Sequence, residues 1–591
     1  MPPLTIAHVT HEAVDHLGGI GTVLHGLLTS PVYRRRIGRS ILIGPSLDES
    51  RTDGAGPLGA EGRVLYSAAD GIDDGQMRQR LGPVESKFGV RIVYGHRRVV
   101  STDGHREAEA EVLLVDVRQV DPKRLAIFKL QMWETFGIDS SRYEQAWDYE
   151  EYVRLAAPAC EALLALLGDA RDPCVVFGHE FMGMPTVLAA LHSGDPRLRT
   201  VFHAHECATV RRIVEDHPGH DIMFYNVLDQ AKRLDLHVED VFGPQDGQLR
   251  HALIRRAHLC DAVLAVGDHV RDELHFINPE QRPGTVDLVY NGVPSAPCDA
   301  DARERSRQLL LDYAVNLGLP RPHLLMTHVT RPVISKGLWR DLKVCHELDR
   351  ALVADRRTAV LFILTTGGGT RSEQDVQTMA NDYGWPRHHQ PGYPDLTGPE
   401  IYLCRDVDTF NKGHEAIQVV LVNQFGWSRS RLGPSLPAEM TMADLRRATD
   451  VEFGMAVYEP FGISPLEPLA AGAICVISQV CGCSGLVRRA ADGDSPNVLC
   501  ADFTHLESQQ SIERLKEMTQ EQRDRLEQAA AVTIADELLS RLPQDEAQRR
   551  ALTESGQKLA ARMGWDQIAQ TDLLPVIDRI TTEQRVQSLA V

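Results

Sequence analysis

The sequence predicts an α/β protein built in two halves, and three stretches carry that prediction. In the first, LTIAHVT leads through LGGIGTVLHGLL to SILIG. This reads as strand, glycine loop, helix and strand, the opening of a doubly wound domain. In the second, a strand at 323–329 runs into THVTRPVISKGLW and starts a new α/β half. In the third, a strand at 450–457 enters EPFGISPLE, then a helix that Gly472 ends, then a buried strand at 474–478. A chain of 591 residues is too long for one core, and about two to four domains are expected.

The elements between these anchors follow in order. Residues 4–10 alternate apolar side chains, a helix begins near Thr22, and 40–44 is a second strand. Residues 48–80, rich in Gly, Asp, Arg and Ser, read as containing a mobile surface loop. Strands are expected at 90–94 and 111–115, and helices at roughly 122–136 and 143–167. A strand at 174–177 runs into His179-Glu180-Phe181, and a helix follows from about Met184. The next strand, 200–205, places His203 and His205 on one side. Strands at 261–266 and 285–290 close the first half, and NGVPSAPCDADARER reads as a linker. In the second half 359–365 is a strand, and the polar stretch 371–441 reads as an insertion holding one or two strands and a helix. Residues 507–561 are helical and charged. The tail RMGWDQIAQTDLLPVIDRI is amphipathic, and the last residues are expected to fray.

Bulk properties exclude several function classes. A formal charge of −19 argues against nucleic acid or an anionic membrane surface as the main partner. The one basic run, Arg34, Arg35 and Arg36 with Arg39, reads as a solvated face. Eleven scattered cysteines do not form a disulfide framework, and Cys481 and Cys483 read as small buried thiols rather than a chelate. The opening MPPLTIAHVTHEAV lacks a charged and then apolar leader, so no signal peptide is expected. No run of 18 apolar residues exists, so no membrane span is expected. A cytoplasmic location follows as the expectation.

The chemistry is concentrated in EPFGISPLE. Glu459 and Glu467 stand eight positions apart, with Phe461, Gly462 and Ile463 between them. Ser464 reads as the helix cap, Pro465 as the first helical residue, and Glu467 as a capping-box acid. A glycine turn opening onto a helix N-terminus offers N–H groups and a positive dipole end to a phosphate. Glu459, just ahead of the turn, would face whatever that phosphate carries. A sugar nucleotide suits such a site. The plainer alternative is an ordinary strand–turn–helix in which Glu467 only caps. The loop GGIG, taken alone, is an equally general glycine-led helix start.

Taken together, these passages resemble one family group. GGIGTVL with LIGP, LQMWETFGIDSSRYEQAWDYEEYV, FGHEFMGMPTVLAAL, VFHAHECATVRR, FYNVLD, LVYNGV, RPVISKG and EPFGISPLE occur in that order. The chain resembles the GT-B retaining glycosyltransferases, and within them the glycogen and starch synthases, notably the animal and fungal type. The resemblance implies two Rossmann-like doubly wound domains facing across a cleft, at 1–295 and 296–565, with a tail helix at 566–591 crossing back to the first. It implies no metal and no cofactor. The donor would be a nucleoside diphosphate sugar such as UDP- or ADP-glucose, and the acceptor a glucan or a small carbohydrate; a homo-oligomer is left open.

The residue roles are implied by the same resemblance. Arg331 and Lys336 would neutralise the leaving diphosphate, the largest kind of catalytic term. Gly18, Gly19 and Gly21 would offer backbone N–H groups, as would Gly462, Ile463 and Ser464. Phe461 belongs to the same donor-binding turn, where the animal-type enzymes carry Trp. Glu459 would hold the sugar hydroxyls and Glu467 the ribose. His179 would lie near the sugar, with His205 also on the donor. Leu17 stands where starch-synthase types carry a Lys. A second cation pair, Arg405 with Lys412, is the alternative to Arg331 and Lys336.

Two readings from other classes compete with this one. His179, Glu180, His203, His205 and Glu206 would make a metal site in a hydrolase, since His-x-His on a strand is a plausible chelate. No HExxH or Asp cluster completes it, and strand histidines are more often core residues. A catalytically inactive scaffold on the same fold is the other reading.

Overall fold

The computed structural model describes residues 4–14, 18–46, 56–101, 104–216 and 223–582. Leu17, residues 48–55 of the stretch 48–80, and the last residues from 583 lie outside the described residues. The chain divides into two compact units. The first comprises Met1–Val210, Leu234–Gly292 and Trp565–Val591; the second comprises Arg211–Arg233 and Val293–Gly564.

The first unit holds one ten-stranded sheet. Its strands are β1 (Leu4–Val9), β2 (Ile37–Pro45), β3 (Gly62–Ser67), β4 (Ile72–Asp73), β5 (Arg91–Val100), β6 (Glu107–Asp116), β7 (Cys174–His179), β8 (Leu198–Ala204), β9 (Ala262–Ala265) and β10 (Val286–Leu288). The order is β10-β9-β8-β7-β1-β2-β6-β5-β3-β4. From β10 to β6 every pairing is parallel; β6-β5, β5-β3 and β3-β4 are antiparallel. The parallel part is covered on both faces, so β7 is buried at every residue, as a continuous apolar strand requires. The antiparallel edge keeps half-exposed positions. Residues 62–67 and 72–73, inside the stretch 48–80 expected to contain a surface loop, are therefore strands. Their Gly and Arg content reflects an edge open to water on one side, not absence of pairing.

The second unit holds a six-stranded, fully parallel sheet. Its strands are β11 (Leu324–Val329), β12 (Ala359–Leu364), β13 (Ile417–Val422), β14 (Val451–Gly454), β15 (Ile474–Ser478) and β16 (Val498–Ala501). The order is β13-β12-β11-β14-β15-β16, the dinucleotide-fold order. β12 and β15 are buried throughout. The stretch 371–441 is no simple insertion. It supplies β13, which pairs with β12 from Ala359↔Ile417 to Leu364↔Val422. It also supplies the helix Glu400–Gly413, whose Leu403, Cys404, Val407 and Phe410 enter the core beside β13. Arg211–Arg233 belongs to this unit through Ser335 Oγ donating to Glu215 (2.7 Å), Asn226 donating to the Thr504 carbonyl (2.9 Å) and Gln509 donating to Gln230 (2.8 Å).

After Gly564 the chain returns to the first unit. The Trp565 ring fills the space over Gly26, where any Cβ would stand 2.1 Å from it. Asp566 then accepts from Ser30 (2.5 Å) and Arg106 (2.9 Å). Asp578 pairs with Arg36 at 2.7 Å, and Arg579 pairs with Asp287 at 2.5 Å. The basic run is thus not a plain solvated face. Arg36 anchors the tail, and Arg39 makes a bidentate pair with Glu111. Among the described residues no helix is long and apolar enough to cross a membrane.

This anchoring predicts the effect of Trp565→Ala. Removing a buried indole and leaving a cavity should cost the first unit about 3 kcal/mol or more. The denaturant midpoint of that unit's transition measures it, and a change below about 0.5 kcal/mol would show that the tail is not held by this ring.

Candidate active site

In an open parallel sheet the strand order reverses once, and loops leaving the two flanking strands diverge there. In the second unit this point lies between β11 and β14, and both sequence motifs sit at it. Arg331 follows β11 directly and is exposed, with its side chain making no hydrogen bond or ion pair among the described residues. Lys336 ends the short turn Ile334–Lys336. Its ammonium donates to Glu459 Oε2 at 2.6 Å. The backbone locks the two loops together, since Val457 and Tyr458 N–H both donate to the Ser335 carbonyl (2.8 and 3.0 Å). Gly337 has φ +63°, and a Cβ there would stand 2.7 Å from the Met455 carbonyl, which explains the glycine after the lysine.

The turn after Glu459 is held open by Gly462 at φ +89°. The backbone N–H groups of Gly462, Ile463 and Ser464 have no acceptor among the described residues. Phe461, at the start of this turn, is buried. An exposed arginine, a half-buried lysine and three open amides therefore gather at one sheet mouth. That arrangement receives a polyanion.

The helix start differs from the capping box expected of it. Ser464–Ala471 is a 3-10 helix with no side-chain cap, and Pro468 inside it removes an N–H that an α-helix would use. Arg446 has claimed the expected capping groups instead. Its guanidinium donates to Ser464 Oγ (2.6 Å) and to Glu467 Oε2 (2.7 Å), and pairs with Glu452 at 2.9 Å. Both contacts to Glu467 fall on Oε2, so Arg446 leaves Oε1 unengaged. Glu452 is fully buried on β14 and also accepts from Thr327 and the Val329 N–H. Arg405 and Lys412, the alternative cation pair, lie on the exposed face of Glu400–Gly413, where Arg405 packs over Tyr402. No strand-end loop carries them.

In the first unit the order reverses between β1 and β7. The glycine loop leads into the helix Gly19–Leu28, which starts three residues earlier than expected, and two of the three glycine amides are already engaged. Gly18 and Gly21 N–H both donate to Glu12 Oε2 (3.0 and 2.7 Å). A carboxylate of the chain itself occupies the helix N-terminus, as the dipole favours. Any phosphate would have to displace it.

Beside that loop stands a cluster of imidazoles. His179 ends β7; its Nδ1 lies 2.8 Å from His205 Nε2, and its Nε2 lies 3.0 Å from His8 Nδ1. His8 Nε2 continues to the Tyr33 hydroxyl at 3.1 Å, which meets Ser40 Oγ at 3.2 Å. His203 sits in register with His179, its ring centroid 4.2 Å from that of His205. Burial pushes His8 and His203 down to about 3 and holds His179 and His205 well below the usual histidine range. All four rings are neutral at physiological pH. Glu180 has φ +60°, a strained value for a side-chain-bearing residue. Its Oε1 accepts from the N–H groups of His205 and Glu206. Desolvation raises its carboxyl well above the usual range.

His8, Glu12, Tyr33 and Arg446 were not singled out from the sequence. His8 left one signal, a polar residue in an apolar strand that runs into a glycine loop. Arg446 left none, because its three partners lie on other elements, one on β14 and two on the 3-10 helix.

The buried ion cluster predicts the result of Arg446→Met. It leaves the Glu452 carboxylate buried and uncompensated, so the second unit should lose about 3–5 kcal/mol. Adding Glu452→Gln should restore at least half. Denaturant unfolding measures both, and a single-variant loss under about 1 kcal/mol would contradict this reading.

No family model matches the chain, and no curated protein sequence does. Solved structures do match. A UDP-forming α,α-trehalose-phosphate synthase from Burkholderia xenovorans is similar over 98% of this chain and 100% of its own, at 14% identity and TM-score 0.51. The N-terminal domain of trehalose-6-phosphate phosphatase from Candida albicans is similar over 98% of this chain and 97% of its own, at 11% identity and TM-score 0.50. The catalytic domain of starch synthase IV from Arabidopsis thaliana, bound to ADP and acarbose, covers 98% and 100% at 14% identity and TM-score 0.49. At such identities the likeness speaks to fold. The chain has the mixed α/β architecture of GT-B glycosyltransferases, with two Rossmann-like domains built on parallel sheets.

Proposed function

We propose that this chain is a retaining glycosyltransferase that moves a glucosyl or other hexosyl unit from a nucleoside diphosphate sugar to a carbohydrate acceptor. The carrying observation is the Lys336–Glu459 pair beside the open amides of Gly462, Ile463 and Ser464. The diphosphate of the donor meets Lys336, Arg331 and these amides, which stabilise the charge that builds on the leaving group. Glu459 is then free to turn its carboxylate to the sugar hydroxyls. Glu467, fixed by Arg446, presents Oε1 to the ribose. On the resemblance, His179 of the first unit is assigned to orient the sugar, and its Nδ1 meets His205. No second carboxylate is assigned as a nucleophile, so attack on the same face assisted by the leaving phosphate is favoured over a covalent glycosyl-enzyme.

An α-glucan is the preferred acceptor, on the resemblance to glycogen synthases. A small acceptor such as a sugar phosphate is the second reading. Its support is the shared fold of an enzyme whose name makes it a UDP-forming trehalose-phosphate synthase.

Release of nucleoside diphosphate from UDP-, ADP- and GDP-sugars tests the reading. Glucan-stimulated release supports the glucan synthase; release that only a small acceptor stimulates supports the second reading. No release from any donor would overturn both. Glu459→Ala and Lys336→Ala should each cut turnover on the order of a hundredfold or more with the fold intact. Near-normal activity in either would sink the site assignment. Chelators should not lower activity, since the cations required are side chains.

A further inference from the structure

We propose that the first unit carries a transition-metal site in which His179 Nδ1, His205 Nε2 and a ring nitrogen of His203 bind one divalent ion of the zinc class, with water completing the shell. The ligand atoms of these three residues all lie within 4.8 Å of one another. A tetrahedral ion with metal–nitrogen bonds of about 2.0–2.1 Å brings such atoms to roughly 3.3 Å, a matter of side-chain rotation. The backbone already provides the constellation. His179 and His203 are register partners on neighbouring parallel strands, and His205 follows His203 by two residues beyond the end of β8.

Three further observations point to a ligand here. First, His203 is 2% exposed, and neither of its ring nitrogens has a partner among the described residues. A buried polar atom that makes no hydrogen bond is costly, so the ring is out of place unless a ligand meets it. Second, the chain His179 Nε2, His8, Tyr33 and Ser40 is an orienting relay. If each group donates outward, His179 keeps its proton on Nε2 and aims the Nδ1 lone pair at His205 and His203. Metal-bound histidines are held in this way by the partner of their other nitrogen. Third, the set is all imidazole. Glu180 spends Oε1 on the backbone amides of His205 and Glu206 and is not among the converging ligand atoms. Nitrogen-only sites select zinc, copper or nickel over magnesium or calcium. Burial keeps all these rings neutral, the form that ligates.

In the metal-free chain His205 donates its Nε2 proton to His179. On binding, His205 takes the other tautomer, with its proton on Nδ1, and both lone pairs turn to the ion. The consequence rests on the function proposed above: an ion holding His179 withdraws the ring assigned to the sugar, so zinc inhibits transfer and a chelator restores it.

The test uses the full chain, stripped with chelator and titrated with Co²⁺, then Zn²⁺. The expected result is one Co²⁺ per chain with the visible bands of a tetrahedral nitrogen site, displaced by Zn²⁺. His203→Gln should weaken binding on the order of a hundredfold. Tyr33→Phe, which leaves all three ligands in place, should weaken it about tenfold with an unchanged circular dichroism spectrum. Absence of the bands, or wild-type binding by both variants, would overturn the site. The optical readout needs no turnover, so a chain that binds Co²⁺ and releases no nucleoside diphosphate keeps the site and loses the transferase reading. A chain that transfers sugar unchanged at saturating Zn²⁺ overturns the inhibitory role.

Discussion

A parallel strand can be joined to the next only by a crossover that carries the chain back across the sheet, and such crossovers are right-handed. Strands added in one direction therefore send their helices to one face. Where the direction reverses, two adjacent strands send their chains to opposite faces, and the space over their carboxyl ends stays open. Both units obey this constraint, at β1/β7 and at β11/β14. The glycine loop, His8 and His179 belong to the first mouth, and Arg331, Lys336, Glu459 and the 462–464 amides to the second. None of these groups would share a mouth if the strand order ran monotonically.

The two carboxylates of EPFGISPLE are held differently, and the difference follows from their surroundings. Glu459 meets a lysine, a single flexible cation that keeps other donors free when one anion replaces another. Glu467 meets an arginine that is shared with fully buried Glu452 and with Ser464. That guanidinium cannot leave without stranding Glu452. Glu459 is thus exchangeable and Glu467 is fixed, so one end of the motif can respond to an arriving ligand while the other keeps its place.

Much of this was legible in the chain because parallel strands buried on both faces must be apolar runs. The stretches at β1, β7, β11, β12 and β15 show them, and each ends in residues that an inner strand does not need. What was illegible falls into two physical kinds. Edge elements carry no such run: β3 is half-exposed, β4 is exposed at both of its residues, and β16 is only four residues long. β13 is apolar, but lies between Pro- and Gly-rich clusters that mask it. The other kind is partnership at a distance. Ser464 and Glu467 have the spacing of a capping box, and only the fold shows that Arg446 takes both and that Pro468 leaves the helix too tight for it. Likewise Glu12 precedes the glycine loop in sequence without announcing that it fills it.

The two mouths differ in electrostatic kind. That of the second unit combines permanently charged side-chain cations with open amides, a field that suits a diphosphate and acts more strongly as charge develops on it. That of the first is desolvated imidazole, neutral because burial forbids the charged form, with its glycine-loop amides neutralised by Glu12. Neutral rings give such a site no pull on a polyanion. They can exchange hydrogen bonds with hydroxyls, or turn their lone pairs together on a soft cation, and which of these occurs depends on where the shared protons sit. Because the hydrogen bonds linking His179, His8 and Tyr33 can run in either direction, according to the tautomers, the same residues can present His179 as donor or as ligand without any movement of the backbone.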